Sequence, residues 1–376
     1  MRRAAPALDH GATGNGRVLA LVSPTSAVEW LCLPRFDSPS IFGRILDAER
    51  GGTFRFLSGG RELRGRQEYV RNTNVLRTVI EDGEAAFEIV DYAPRTPDGF
   101  GVHAPVALTT DAPVPFVLGR RPLVLDRPLR FEVAHGKPER PLDPVAFDRD
   151  LALTIEGWRA WAKTCALPAF EPEAVLRSAL CLKLHAYHDT GAIIAAATTS
   201  IPEAMGTART WDYRFCWLRD AAFVVEALRR LSHLQEGERF LAYLRDVAES
   251  GPLQPVYAID GARDLEERFL PHLAGFGGNG HVRIGNAAAI QRQNDLYGEL
   301  SCVSPRCCAI RASRTSTDAP ICRSSNGWCV SIWRRTWIAS PTTSAWCGSA
   351  CSRWGSTSRR SRRPTTARRR GRSRPP

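Results

Sequence analysis

The sequence predicts a two-part chain, an antiparallel β-sandwich followed by amphipathic helices, with a final stretch that does not fold. Three observations carry this reading. Up to about Val133, apolar residues come in short runs rich in Val, Ile and aromatics and broken by turn residues. After about Pro144 the apolar spacing lengthens to the helical period. Beyond Leu300 no period survives.

In the first part, the runs VLALVS, VEWLCL, NVLRTVIE and AAFEIVDYA read as strands, and VALTT and RPLRFEV continue them. NVLRTVIEDGEAAFEIVDYA reads as a hairpin turning at Asp82-Gly83, because Asp-Gly tolerates the positive φ of tight turns. Strands of this kind pack sheet on sheet. The expected domain runs from 1 to 144 and is shortened near 93–106, where DYAPRTPDG passes quickly into HAPVALTT.

The second part is expected to run from 145 to 300. Between Pro172 and His188, residues Val175, Leu176, Ala179, Leu180 and Leu184 have helical spacing. A later helix places Phe223, Ala227 and Leu231 on one face with Val224 and Leu228 beside it, and another carries Phe240, Leu244 and Val247. Asp220 falls at the expected start of the former, where the helix dipole favours acids. The connections are long and rich in Gly and Pro, which suits helices whose loops build a site at one end.

Residues 301–376 form a basic tail with 16 Arg, no Lys and a single acid, Asp318. The first 300 residues hold 35 basic and 38 acidic residues, so the whole +12 charge comes from the tail. Its closing run, RRSRRPTTARRRGRSRPP, is disordered on composition. Four cysteines, Cys32, Cys165, Cys181 and Cys216, are scattered through the body; the other seven lie in the tail at irregular spacing. Neither set reads as a disulfide framework or a zinc site. The N-terminus has no apolar stretch after its two arginines, and no run of about 18 apolar residues occurs, so a cytoplasmic protein without membrane partners is expected.

The densest segment is WDYRFCWLRDAAF, residues 211–223, which crowds aromatics, two arginines and two aspartates in front of a helix. Sugar recognition needs such a mixture. Aromatic faces stack on the C–H faces of a pyranose, and Arg and Asp give charge-assisted bonds to its hydroxyls. A helix start with a core aromatic cluster and a structural Arg–Asp pair accounts for the same residues.

This segment resembles the first substrate-contacting loop of glycoside hydrolase family 15, which contains glucoamylases, glucodextranases and some trehalases. GNGRVLALVSPTSAVEWLCLPRFDSPSIFGRILD, TNVLRTVIEDGEAAFEIVDYAP, TGAIIAAATTSIPEA, LQPVYAIDG and VRIGNAAAIQRQNDLYGEL are similar to further stretches of its bacterial members, in the same order. The resemblance implies a β-sandwich followed by an (α/α)6 barrel, here incomplete. It also implies inverting hydrolysis at the non-reducing end of an α-glucoside or α-glucan, in carbohydrate metabolism, without a metal or organic cofactor. Arg219 and Asp220 match the pair that grips the terminal glucose, and Tyr213 and Trp217 match aromatics lining that subsite. Gln293, Asn294 and Asp295 lie in a second segment near the site, and a structural role suits them equally.

Inverting hydrolysis needs an acid and a base roughly 6.5–9.5 Å apart. In the family both are glutamates on later loops, one in a Gly-Ile-Trp-Glu-like motif and one in a Ser-Glu-Glu-like motif. No glutamate follows Glu299, so no catalytic residue is assigned, and a glucoamylase-like enzyme inactive as given is expected. A reading-frame shift close to Leu300 is the expected origin of the tail, and helix faces left without partners are expected to promote aggregation. Rival readings are a trehalase of the same family, a non-catalytic sugar binder and a nucleic-acid binder. The last rests on the tail alone, which carries no recognisable module for specific nucleic acid. GFGGNG, residues 275–280, matches the dinucleotide fingerprint but lacks the strand before it and the helix after it. No signal of an oligomeric state is present.

Overall fold

The computed structural model describes residues 7–83, 85–94, 105–136 and 142–300. The expected shortening near 93–106 falls largely outside them, and the tail falls outside them entirely.

Two antiparallel sheets open the chain. Strands β1 (Gly11–Gly14), β2 (Leu19–Val22), β3 (Val28–Cys32) and β4 (Ser40–Phe42) pair in sequence order. Strands β5 (Arg66–Tyr69), β6 (Leu76–Asp82) and β7 (Ala85–Asp91) form the second sheet. β6 alternates cleanly, burying Leu76, Thr78 and Ile80 on one face. The sheets meet where β1 crosses β6. Gly11 is required there, since a Cβ would come within 2.5–2.7 Å of the Leu76 methyl carbons. The expected hairpin is present, but Asp82 stays in the strand opposite Ala85, so the turn lies one residue later, with Gly83 at φ 66°. The positive φ needs the glycine, and the aspartate can remain extended. Strand β8 (Val106–Thr110) and β9 (Phe131–His135) form a separate pair, with the short helix α1 (Val114–Leu118) between them.

Four longer helices follow, α2 (Pro144–Lys163), α3 (Pro172–Leu184), α4 (Leu218–Arg230) and α5 (Leu234–Glu249). Asp143 caps α2 by accepting from the Val145 N–H at 3.0 Å, with Pro144 in the first turn. α3 ends at Leu184 rather than His188. It buries Leu176, Ala179, Leu180 and Leu184, and Val175 is half-buried. It lies against β1, and the buried Asn74 side chain donates to the Leu180 carbonyl at 3.0 Å. α5 buries Phe240, Leu244 and Val247 as expected. The face expected for α4 is wrong: it buries Leu218, Ala221, Ala222, Val225 and Leu228, while Phe223 is 54% exposed. α4 packs against α5, where small side chains permit close approach, and more than half of Phe223 stays in solvent.

The remaining strands are short: β10 (Thr199–Pro202), β11 (Thr210–Asp212), β12 (Cys216–Trp217), β13 (Val256–Tyr257), β14 (Arg268–Phe269) and β15 (Arg283–Ile284). They pair as β10–β11, β12–β13 and β14–β15, tying the loops of the helical part to one another. Trp30 of β3 joins this layer to the first sheet, donating from Nε1 to the Ala197 carbonyl at 2.7 Å and sharing a core with Ile45, Leu46, Phe276 and Val282. Gly275–Gly280 holds a turn of 3-10 helix, Phe276–Gly278, between β14 and β15, not a strand-to-helix crossover. Among the described residues no helix is long and apolar enough to cross a membrane.

Candidate functional site

The segment 211–223 becomes helical at Leu218, and that change sorts its residues. Ahead of the helix Asp212, Arg214, Phe215 and Cys216 are buried, and Asp212 and Arg214 are 0% and 3% exposed. Arg214 forks onto Asp212, with Nε to Oδ1 at 2.9 Å and Nη2 to Oδ2 at 2.7 Å. Its third nitrogen donates to the Ser38 carbonyl at 2.7 Å, which reaches the loop after β3. Asp212 also accepts from the Gly285 N–H at 3.2 Å, and its carbonyl accepts from the Asn286 side chain at 3.0 Å. Burial works against the Arg214 charge, but the Asp212 carboxylate holds its pKa above the ordinary guanidinium value. This pair is structural.

The second Arg–Asp set is on the surface. Trp217 ends β12 and precedes α4, so Arg219 and Asp220 occupy the helix's first turn. Arg219 Nη1 donates to Asp295 Oδ2 at 3.0 Å, and its Nε lies 3.7 Å from Asp220 Oδ2. The Arg219 bond holds the Asp295 carboxyl below its usual pKa. The rings of Tyr213 and Trp217 lie beside them, with centroids 6.4 Å apart at 46°. Tyr213 donates its hydroxyl to Glu203 Oε1 at 2.8 Å; burial and that carboxylate push the phenol up to about 12. Trp217 rests on a small core of Phe215, Val256, Ala258, Leu265, Ala288 and Ala289. Two shielded polar atoms, Trp217 Nε1 and Asp220 Oδ2, have no hydrogen-bond partner among the described residues. Such groups cost about 1–3 kcal/mol each when left unsatisfied.

The structure therefore joins Arg219 to Asp220 and Asp295, and sets the Tyr213 ring by that of Trp217, two residues before Arg219. It does not bring in Gln293, which donates only to Gln291 at 3.4 Å, or Asn294, which is exposed. Two side chains that support the site carry no signal in the local motif. Glu203 comes from the TTSIPEA stretch. Gln254 donates to the Arg263 and Ala289 carbonyls at 3.1 and 2.9 Å and so holds the loop beneath Trp217. Among the described residues no group of three or more His, Cys, Asp or Glu is placed to hold a metal ion.

With this geometry in hand, comparison with known proteins is decisive. Residues 170–322 match the pattern described as glycosyl hydrolases family 15. The chain carries a family 15 glycosyl hydrolase domain. Residues 2–124 match a trehalase-like N-terminal domain, so the family 15 segment follows a sheet-rich part that is also of a known kind. The chain is 32% identical over 350 residues to a trehalase of Thermoplasma volcanium, covering 77% of this chain and 55% of the relative. It is 31% identical over 378 residues to a trehalase of Mycobacterium tuberculosis, covering 78% and 55%. To trehalase 1 of Sulfolobus acidocaldarius it is 33% identical over 337 residues, covering 77% and 58%. The chain thus spans somewhat over half the length of these curated relatives. No solved structure matches it significantly. The surface cluster lies inside the family 15 segment, as do α3, α4 and α5.

Proposed function

We propose that this chain recognises the terminal glucose of an α-glucoside through Tyr213, Trp217, Arg219 and Asp220, and that the α-glucoside is trehalose. The observation that carries the reading is the Arg219–Asp295 contact. It joins two segments 76 residues apart at the start of α4, beside two aromatic rings. An exposed ion pair adds little to stability, so its value lies in what it presents. Arg219 offers a fork of donors, Asp220 a carboxylate and Trp217 an apolar face, the set a pyranose needs. Trehalose replaces a starch-type glucan as the preferred substrate because the relatives described above are named trehalases.

In this proposal residues 1–144 form the N-terminal domain, and α2 to α5, which lie in 145–300 but for Pro144 at the start of α2, are the first helices of an (α/α)6 barrel. Asp220 is a binding acid, and no glutamate follows Glu299 to supply either carboxyl group of an inverting pair. Residues 1–376 are accordingly proposed to bind the sugar without turning it over. Titration of the intact chain with trehalose, followed by tryptophan fluorescence and calorimetry, tests this. Saturable binding that Arg219→Ala weakens at least about tenfold, with no glucose released, is the expected result. Binding that Arg219→Ala leaves unchanged, or no saturable response, refutes the assignment. Tighter binding of maltose than trehalose restores the glucan reading.

A further inference from the structure

Away from the sugar cluster, the end of α2 meets the turn between α4 and α5 in a group of side chains that sugar recognition does not use. Cys165 follows Thr164, the C-cap of α2, and is half-exposed. Its Sγ lies 2.9 Å from His233 Nε2. The imidazole is 6% exposed and lies flat on the Trp161 indole, with centroids 3.9 Å apart at 13°. Its other nitrogen, Nδ1, faces Glu236 Oε2 at 4.0 Å. Glu236 is 3% exposed and fixed through its other oxygen, which accepts from Trp161 Nε1 at 3.0 Å and lies 2.9 Å from Lys183 Nζ. Oε2 itself has no hydrogen-bond partner among the described residues. A buried carboxylate oxygen is thus aimed at one ring nitrogen while a thiol sits on the other.

The charges around the ring come from three helices: Glu236 on α5, Lys183 on α3, and the Cys165 thiol at the end of α2. Burial keeps His233 neutral by lowering its pKa. Burial and the Glu236 charge keep Cys165 a thiol at rest. The S–H therefore donates to Nε2, and the ring proton sits on Nδ1 towards Glu236. A thiol in contact with a base, and a carboxylate facing that base from 4.0 Å, stand in the order that activates a nucleophile at the moment of reaction.

We infer that Cys165 is a general-base-activated thiol and a covalent modification site for soft carbon electrophiles, such as α-haloamides and α,β-unsaturated carbonyls. With an α-haloamide, the sulfur attacks the carbon bearing the halogen. The C–S bond forms, the carbon–halogen bond breaks, and the halide leaves with its electron pair. The S–H proton passes to His233 Nε2, where Glu236 stabilises the imidazolium, and then to water. With an enone, the sulfur adds to the β-carbon and the proton ends on the α-carbon.

The test is alkylation of the intact native chain by limiting iodoacetamide, with each cysteine followed by peptide mass spectrometry. Cys181, exposed on α3, is the internal comparator. At pH 7, Cys165 is expected to react at least about tenfold faster than Cys181, and His233→Gln to abolish the difference. Cys165 reacting no faster than Cys181, or a folded His233→Gln chain keeping the advantage, overturns the inference. The unsubstituted chain gives a second readout that does not depend on the variant folding. A thiol that reacts only through its free anion gains about tenfold in rate per pH unit below its pKa, and N-acetylcysteine in the same tube reports that slope. Because His233 is already neutral, the Cys165 rate is expected to be nearly flat from pH 6.5 to 8. A Cys165 slope equal to that of N-acetylcysteine refutes general-base activation.

Discussion

Replacing Asp212 by Asn tests whether the inner Arg–Asp pair is structural. The substitution keeps the side-chain size and removes the charge facing Arg214, whose residue is only 3% exposed. Asp212 accepts from Arg214 Nε, Nη2 and backbone N and from the Gly285 N–H, so one carboxylate holds two loops. Breaking a buried pair by removing one partner costs about 3–5 kcal/mol. Arg214 keeps its bond to the Ser38 carbonyl, which argues for the lower end, about 3 kcal/mol. With a urea dependence of about 3 kcal/mol/M, reasonable for a body of this size, the unfolding midpoint should fall by about 1 M. Urea titration followed by tryptophan fluorescence reads this directly, and a variant too unstable to purify is the extreme of the same outcome. A fall below about 0.3 M would refute the reasoning. Adding Arg214→Met should then recover at least about 1 kcal/mol, because it removes the stranded charge.

Arg219→Ala should behave in the opposite way, changing stability by less than about 1 kcal/mol while weakening trehalose binding; a large midpoint shift would make the outer pair structural too. Burial with no partner pushes the Asp91 carboxyl up to about 7, its Oδ2 being shielded although the residue is partly exposed. Its folded pKa lies above its unfolded value, so the native state holds the extra proton, and stability should fall as pH rises from about 4 to 7. Asp91→Asn should flatten that fall, and an unchanged pH profile of the unfolding midpoint argues against it. On α4, Leu228→Ala should cost about 2–5 kcal/mol and Phe223→Ala under about 1 kcal/mol, since Leu228 is fully buried and Phe223 is 54% exposed. Equal costs would mean that the phenyl face is covered.

Much of this architecture is legible in the sequence because it rests on local rules. Alternation marks β6, and a glycine able to take positive φ marks its hairpin. The slip of one residue arises because Asp82 and Gly83 both fit the turn and only register decides between them. α4 was legible as a helix but not in its orientation. Summed hydrophobicity favours the Phe223 face, whereas packing on α5 and β12 selects Ala221, Ala222 and Val225. That the segment of residues 293–295 lies near the site was legible from the resemblance, but which of its residues meets Arg219 was not. Arg219 and Asp295 are 76 residues apart, and Asp295 shares its stretch with Gln293 and Asn294, which look equally suitable by residue type. The supporting role of Gln254 was hidden for the same reason, because its acceptors are carbonyls on two distant loops.

The two readings of segment 211–223, structural pair or sugar contact, turn out to describe different halves of it. Ahead of Leu218 the chain is not helical, and Asp212 and Arg214 lie in the interior. From Leu218 it is helical, and the helical period leaves Arg219 and Asp220 at the surface of the first turn. Four residues of the same two types are therefore divided by backbone conformation alone. The inner pair fixes β11 against the loop after β3 and the turn at Gly285, and that turn leads into the residues that deliver Asp295. Loss of Asp212 should consequently weaken sugar binding as loss of Arg219 does, but by destabilising the loops that carry the site. Binding measured alone cannot distinguish the two substitutions, whereas binding and urea stability measured on the same samples do.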